Sequence, residues 1–239
     1  MSFDQSLAAH FPGAMPLVGF VGRSHSALYR LGFQRGNTLI GVILCRDELT
    51  APLRRELYAT WGDGFDGSSL AALPTFGRTG LVAAVDHAPI RDGRTRLVWF
   101  AFPHIAIARD GAIGPCARPG RDAPSSACGA LELIRRELAE GSFDPTFHSD
   151  FIEYTLLKAR LAPRVGSVPP PDLATLTRLL HKVIVEDLTR QLTQVHDETG
   201  GDHALVTGIL IHGPDGHDHV WPGPSYAVVR GDRTTLAVE

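Results

Sequence analysis

Runs of apolar residues along the chain predict strands at several places. Residues 38–45 form a continuous apolar, β-branched segment, which is typical of a strand buried on both faces in a parallel or mixed sheet. Two further strands are predicted over 81–87 and 96–107, and a turn between them would make them a hairpin. Near the end of the chain, strands are predicted over 204–211 and 225–229.

Apolar residues at helical spacing predict helices between these strands. An N-cap at Asp47 or Thr50 precedes a helix that continues through residue 58. Ser125 or Ser126 is expected to cap another helix, which stops at Gly141. A third helix is predicted over 147–161.

The longest predicted helix covers 173–195. Its apolar residues fall on one stripe, which serves either the core or a subunit contact: Leu173, Leu176, Leu180, Val183, Ile184, Leu188 and Leu192. The start of the chain, rich in proline and glycine, is expected to be a loop. Because strands alternate with helices, we expect a single α/β domain over 1–239, with a mixed, largely parallel sheet flanked by helices.

Composition and charge narrow the possible functions. A hydrophobic content of 44% and a net charge of -3 describe an ordinary globular protein without the basic field that nucleic-acid binding needs. The longest apolar run, 39–45, is far shorter than the ~20 residues of a membrane helix. The N-terminus carries no recognisable signal peptide, so a cytoplasmic location is expected, with the 3 cysteines as thiols rather than disulfides.

Two cysteines and a histidine are the most informative polar residues. Cys45 closes a predicted buried strand, His104 lies in another, and Cys128 falls in the first turn of a predicted helix. Strand ends and helix N-termini meet at one edge of an α/β sheet, where ligands bind. Two thiolates and one imidazole with a fourth position open would be a catalytic zinc set, although buried free thiols are a common alternative.

Several short sequence blocks occur in an order that resembles a known family. The blocks are Cys45-Arg-Asp-Glu-Leu49, Leu73-Pro-Thr-Phe-Gly-Arg-Thr-Gly80, His87-Ala-Pro89, Pro103-His-Ile105, Gly111-Ala-Ile-Gly114, Arg118-Pro-Gly120 and Ser126-Ala-Cys-Gly-Ala-Leu131. Over about residues 15–230 the chain resembles the limiting-CO2-inducible proteins, or theta-class carbonic anhydrases. The resemblance implies a β-carbonic-anhydrase-like fold, a homodimer, and CO2 and bicarbonate as substrate and product.

The resemblance also implies roles for individual residues. The zinc ligands fall on Cys45, His104 and Cys128, and Asp47 matches the aspartate of the β-class Cys-x-Asp-x-Arg motif. Position 49 is leucine instead of arginine, so the partner of the aspartate must come from elsewhere, with Arg46 and Arg78 as candidates.

Zinc would lower the pKa of a bound water to ~7, and the resulting hydroxide would attack CO2. As a carboxylate, Asp47 would accept the proton of that hydroxide, or it would occupy the fourth position and switch the site off; it is also a candidate helix cap. His87 is a candidate for proton transfer to solvent, against a purely structural role.

Other polar residues carry weaker expectations. Cys116 is a rival third ligand, placed lower because it lies in the middle of a loop. His212, His217 and His219 are expected on a surface hairpin rather than at a second metal. The acidic, glycine-rich segment 62–68 lacks the closing glutamate of a calcium loop and is expected to be a mobile loop.

Two functions compete with CO2 hydration. A non-catalytic family member would keep the fold and serve as a partner or regulatory subunit. A cysteine enzyme would use Cys128 as nucleophile and His104 as base, and would work without zinc.

Overall fold

The computed structural model describes residues 1–118, 120–166 and 169–238; Pro119, which belongs to one of the blocks quoted above, lies outside them. The helices are α1 (Phe3–His10), α2 (Leu17–Arg30), α3 (Ala51–Trp61), α4 (Gly77–His87), α5 (Gly129–Glu140), α6 (Ile152–Leu161) and α7 (Leu173–Thr199). The strands are β1 (Met15–Pro16), β2 (Leu39–Leu44), β3 (Gly64–Asp66), β4 (Ile90–Arg91), β5 (Arg94–Phe102), β6 (His104–Ala106), β7 (Pro115–Cys116), β8 (Ser125–Ser126), β9 (Asp202–His212), β10 (His219–Pro222), β11 (Tyr226–Val229) and β12 (Asp232–Thr235).

The main sheet has a parallel centre and antiparallel additions. Its order is β1-β10-β9-β5-β2-β3, in which β2 runs parallel to β3 and β5, and β5 runs parallel to β9. Strands β10 and β11 pair antiparallel with β9, β10 over Gly208–Ile211 and β11 over His203–Leu205. Every residue of β9 is buried, as expected for a strand covered on both faces. The predicted mixed, largely parallel α/β sheet is confirmed.

Helices cover the sheet on both faces and form two cores. On one face, α4, α5, α6 and α7 pack on the sheet; on the other, α2 and α3 do. The whole apolar stripe of α7 is buried within the chain's own core. Of the two interpretations that the sequence left open for this stripe, the core helix is therefore right. Within the described residues, no helix combines the length and the apolar character needed to cross a bilayer.

The strand predicted over 81–87 is wrong, because these residues belong to helix α4. The hairpin predicted from that strand is therefore wrong as well. The buried residues of α4 are Leu81 and Ala84, and Ala88 just beyond its end is buried too, a spacing that puts all three on one helical face. In a short apolar run rich in alanine, strand and helix patterns are hard to separate from sequence. The strand before β5 is instead the two-residue β4, in which Ile90 pairs with Thr95.

The start of the chain is also more ordered than predicted. Ser2 and Gln5 form a capping box at the beginning of α1, and α2 begins directly after Pro16. Proline and glycine therefore mark helix boundaries here rather than a loop. The segment 62–68, expected to be mobile, contains β3, and Asp66 at the end of that strand pairs with Arg54.

A proline interrupts the strand predicted over 96–107 and thereby shapes the edge of the sheet. Pro103 has no N–H to donate and separates β5 from β6. Strand β6 keeps the register of β5 on β9, since Ala101 faces Thr207 and His104 faces Leu210. As a result, His104 stands at the carboxyl edge of the parallel strands.

Candidate metal centre

Three elements bring Cys45, His104 and Cys128 together. Cys45 follows β2, His104 opens β6, and Cys128 is the N-cap of α5. One ligand atom from each lies within 4.8 Å of the others, and the two sulfur atoms are 4.0 Å apart. All three side chains are buried. The convergence expected from the sequence is present, while the expected cap at Ser125 or Ser126 is wrong because both residues lie in β8.

The two thiols share a hydrogen bond that makes their acidities unequal. The bond between Cys128 and Cys45 lowers the pKa of Cys45, with a smaller contribution from His104. The same bond, together with burial, raises the pKa of Cys128. The amide of Ala71 also donates to the Cys45 sulfur at 3.3 Å. The pair therefore favours one thiolate that is stabilised by a neighbouring thiol.

The donor set fits a zinc ion. His104 Nε2 is buried and has no hydrogen-bond partner among the described residues, which leaves its lone pair available. Two thiolates and one imidazole are borderline-soft donors of the type that zinc prefers, and three protein ligands leave a fourth position for substrate or water. Cys116 does not belong to this set; its thiol contacts the Ser125 carbonyl at 3.6 Å.

Asp47 lies beside the three residues and is held by an arginine. Arg118 donates to both carboxylate oxygens, at 2.8 Å to Oδ1 and 2.6 Å to Oδ2. Asp47 Oδ1 also accepts the Leu49 amide at 3.1 Å, so the side chain caps the turn before α3 as well. Oδ2 lies 3.9 Å from His104 Nε2. Although burial opposes it, the hydrogen bonds from Arg118 lower the pKa of Asp47 to about 2.

Neither arginine expected as the partner of Asp47 takes that place. Arg46 pairs with Glu153 at 2.8 Å, and Arg78 pairs with Glu198. Successive side chains of an extended segment point to opposite sides. Accordingly, Arg46 and Asp47 have different partners, Glu153 and Arg118. Arg118 reaches the site from the loop between β7 and β8, where it also hydrogen-bonds Ser125 and pairs with Glu48.

His87 is not brought to the three ligand candidates. It is the last residue of α4 and is exposed. The strand after it, β4, pairs with the beginning of β5, whereas His104 follows the end of β5. Within one chain, His87 therefore lies toward the opposite edge of the sheet.

His212 makes a contact that the sequence did not indicate. It ends the buried strand β9, and its Nε2 lies 2.9 Å from Nδ1 of His104. Its Nδ1 lies 3.2 Å from Oδ1 of Asp218. The surface-hairpin prediction is wrong for His212, while His217 is exposed. The available signal was an uninterrupted apolar strand ending at a histidine.

Comparison with known proteins identifies the family. The model for limiting CO2-inducible proteins B/C, beta carbonic anhydrases, matches residues 14–229. The chain belongs to this family. The crystal structure of limiting CO2-inducible protein LCIB is 33% identical, with 98% of each chain covered and a TM-score of 0.81. The search of curated proteins found no match.

Two solved structures of PtLCIB4, a homolog of the limiting CO2-inducible protein LCIB, share the fold at lower identity. PtLCIB4 is 23% identical, with 97% of this chain and 98% of that chain covered and a TM-score of 0.83. Its H88A mutant is 22% identical, with 97% of both chains covered and a TM-score of 0.85. These likenesses show that the limiting-CO2-inducible fold extends over nearly the whole chain.

The sequence did not indicate that Arg118 is the partner of Asp47. Arg118 stands in one of the family blocks, but 71 positions separate it from Asp47. No helical or strand period relates residues so far apart. Only the folding of the β7–β8 hairpin over the carboxyl edge of the sheet brings the guanidinium to the carboxylate.

Proposed function

We propose that this protein catalyses the zinc-dependent, reversible hydration of CO2 to bicarbonate. The observation that carries the proposal is the buried convergence of Cys45, His104 and Cys128, with the unpartnered Nε2 of His104 among their ligand atoms. Membership of a family described as β-carbonic anhydrases supports the reaction type. Zinc held by these three residues would supply an acidified water at neutral pH.

Asp47 and Arg118 would prepare the site for that chemistry. Asp47 stays ionised because Arg118 binds both of its oxygens, so the carboxylate would accept a hydrogen bond from the attacking water and orient it. The bidentate geometry also holds the carboxylate in one direction. Asp47 lies outside the set of three converging ligands, which favours its role beside the reacting water over direct occupation of the fourth position.

A cysteine-nucleophile enzyme receives less support from the same residues. The nucleophile would be Cys128, but it is only 2% exposed and its pKa is raised by the hydrogen bond to Cys45 and by burial. The candidate base, His104, uses Nδ1 for the contact with His212. A buried thiol with a raised pKa is a poor nucleophile, whereas two adjacent thiols suit a metal.

We also propose that the protein acts as a homodimer in the cytoplasm. The homodimer follows from the family resemblance, and the location is supported by the free state of the cysteines, which form no disulfide. The α7 stripe is not available as the subunit contact because it is buried within one chain.

Metal analysis of purified protein tests the proposed site. We expect about one zinc per chain in the wild type and in Cys116→Ser, and loss of zinc in Cys45→Ser and Cys128→Ser. Cys116→Ser is the matched control because its thiol lies outside the ligand set. Full zinc occupancy in Cys128→Ser would exclude this ligand assignment. One zinc per chain without CO2 hydration would support the non-catalytic alternative instead.

A further inference from the structure

A line of three side chains, two of them buried and the third largely so, leads away from the metal centre. Asp218 Oδ1 lies 3.2 Å from His212 Nδ1, and His212 Nε2 lies 2.9 Å from His104 Nδ1. The exposed fractions are 9% for Asp218, 6% for His212 and 0% for His104. Because little of these side chains is exposed to solvent, each polar atom in the line depends mainly on its neighbour for a hydrogen bond.

The carboxylate at one end determines where the protons are. A carboxylate only accepts, so His212 Nδ1 must carry the hydrogen that bonds to Asp218. A neutral imidazole with hydrogen on Nδ1 has an acceptor at Nε2. His104 Nδ1 must then donate to His212, and His104 Nε2 is left as a bare lone pair among the two thiols.

The backbone around these residues is fixed at several points. The His212 carbonyl accepts the Ile107 amide at 3.0 Å, and the Asp218 carbonyl accepts the Leu17 amide at 3.0 Å. Strand β10 begins directly after Asp218 and pairs antiparallel with β9, so the turn between them returns Asp218 to the side of His212. The line is thus part of the sheet edge and not a chance contact of mobile side chains.

We propose that His212 and Asp218 are positioning residues that hold His104 in the tautomer with hydrogen on Nδ1 and its Nε2 lone pair directed at the metal site. The inference rests on the proposed function only in taking His104 as a metal ligand. It adds two residues for which the sequence and the family resemblance assigned no role. Without the line, a neutral His104 would populate both tautomers, one of which has a hydrogen where the metal must bind.

The closing experiment compares variants that remove or keep the acceptor facing His104. His212→Phe keeps a planar ring but accepts no hydrogen bond, whereas His212→Gln offers an amide oxygen near the position of Nε2. Asp218→Leu removes the carboxylate at the end of the line. His217→Gln is the matched control, since His217 is an exposed histidine of the same turn. Circular dichroism and thermal unfolding establish that each full-length variant is folded.

The first readout is zinc affinity, measured by competition with a chromophoric chelator. We expect His212→Phe and Asp218→Leu to raise the Kd for zinc by about 10–100-fold, the range for residues that support a metal ligand. His212→Gln should recover most of the affinity, and His217→Gln should match the wild type. Wild-type affinity in His212→Phe would overturn the proposal, as would equal losses in His212→Phe and His212→Gln.

The second readout is the tautomer of His104 in the metal-free wild-type protein, from the 15N shifts of its ring. The proposal predicts hydrogen on Nδ1 and a bare Nε2. A ring with hydrogen on Nε2 would overturn it, even if the variants do not fold. Neither readout uses CO2, so a protein that binds zinc through an ordered His104 yet lacks activity refutes the proposed function and leaves this inference standing.

Discussion

Asp47 serves the fold and the candidate site with the same carboxylate. It caps the turn before α3 through the Leu49 amide and binds Arg118 through both oxygens. Its side chain is 11% exposed, and that of Arg118 is 14% exposed. A paired charge at such low exposure needs its partner, because an unpaired buried charge is costly. Substitutions at Asp47 therefore change both stability and activity, and the two effects must be measured separately.

The Asp47→Asn variant separates these effects. Asparagine keeps an oxygen that caps the turn but loses the charge that pairs with Arg118, so we expect the free energy of unfolding to fall by about 1–3 kcal/mol. Zinc content should stay near one per chain, while CO2 hydration should fall by roughly 10–100-fold or more. Zinc analysis, urea unfolding and stopped-flow assays check the three expectations.

The Cys45→Ser protein is the reference for a lost site in the same assay. Wild-type hydration by Asp47→Asn across roughly pH 6.5 to 9, the range around the ~7 of zinc-bound water, would rule out a catalytic role for Asp47. Arg118→Gln should resemble Asp47→Asn in activity, because it removes the group that orients the carboxylate.

At the scale of elements, sequence pattern predicted best where a segment is long or wholly apolar. Strand β2 and helix α7 were predicted correctly because the buried positions of both are occupied by apolar residues, which gives each a clear pattern in the sequence. Helix α4 was missed because its run of small apolar residues fits both periods. Arg118 and His212 could not be assigned roles, since each acts through a contact between segments far apart in the sequence.

The α7 stripe gives a prediction about stability. Leu180 is fully buried in the core of its own chain, so Leu180→Ala should lower the free energy of unfolding by about 2–5 kcal/mol. Gln194→Ala, at an exposed position of the same helix, should change it by less than about 0.5 kcal/mol. Urea unfolding measures both. A Leu180→Asp protein that stays folded and merely changes its oligomeric mass would contradict this burial.

Strand β9 begins with an ion pair whose effect depends on pH. Asp202 is 2% exposed, and Arg94 donates to it at 2.6 Å. Burial acts to raise the pKa of Asp202, but the hydrogen bonds from Arg94 and from the Arg230 amide outweigh it and the pKa is lowered. Because the folded pKa lies below the unfolded value of 3.8, the stabilisation is complete above that pH and is lost as the pH falls below it.

The Asp202→Asn variant tests this linkage. At neutral pH it should be less stable than the wild type by about 3 kcal/mol, since it leaves Arg94 and Arg96 without their carboxylate. Below pH 3.8 the difference should shrink as Asp202 becomes protonated in the wild type. Urea unfolding between pH 3 and 7 shows whether the two curves converge. Parallel curves would mean that Asp202 does not contribute to the acid sensitivity of the fold.

For the whole molecule, the family resemblance predicts a homodimer, while the fold of one chain already buries the apolar stripe of α7. The subunit contact must therefore use a surface other than the α7 stripe. Light scattering at micromolar concentration should give twice the chain mass of 25.8 kDa. A monomer at that concentration would contradict the predicted dimer without affecting the ligand assignment.

The rate of CO2 hydration as a function of bound zinc shows whether this protein is a zinc-dependent enzyme. Metal-free protein is titrated with zinc, and the initial rate is followed by stopped flow at pH 8. We expect a rate that rises in proportion to bound zinc and stops rising at about one zinc per chain, with no rise for Cys128→Ser. A zinc-loaded wild type that hydrates CO2 no faster than its Cys128→Ser variant would rule out zinc-dependent CO2 hydration by this protein.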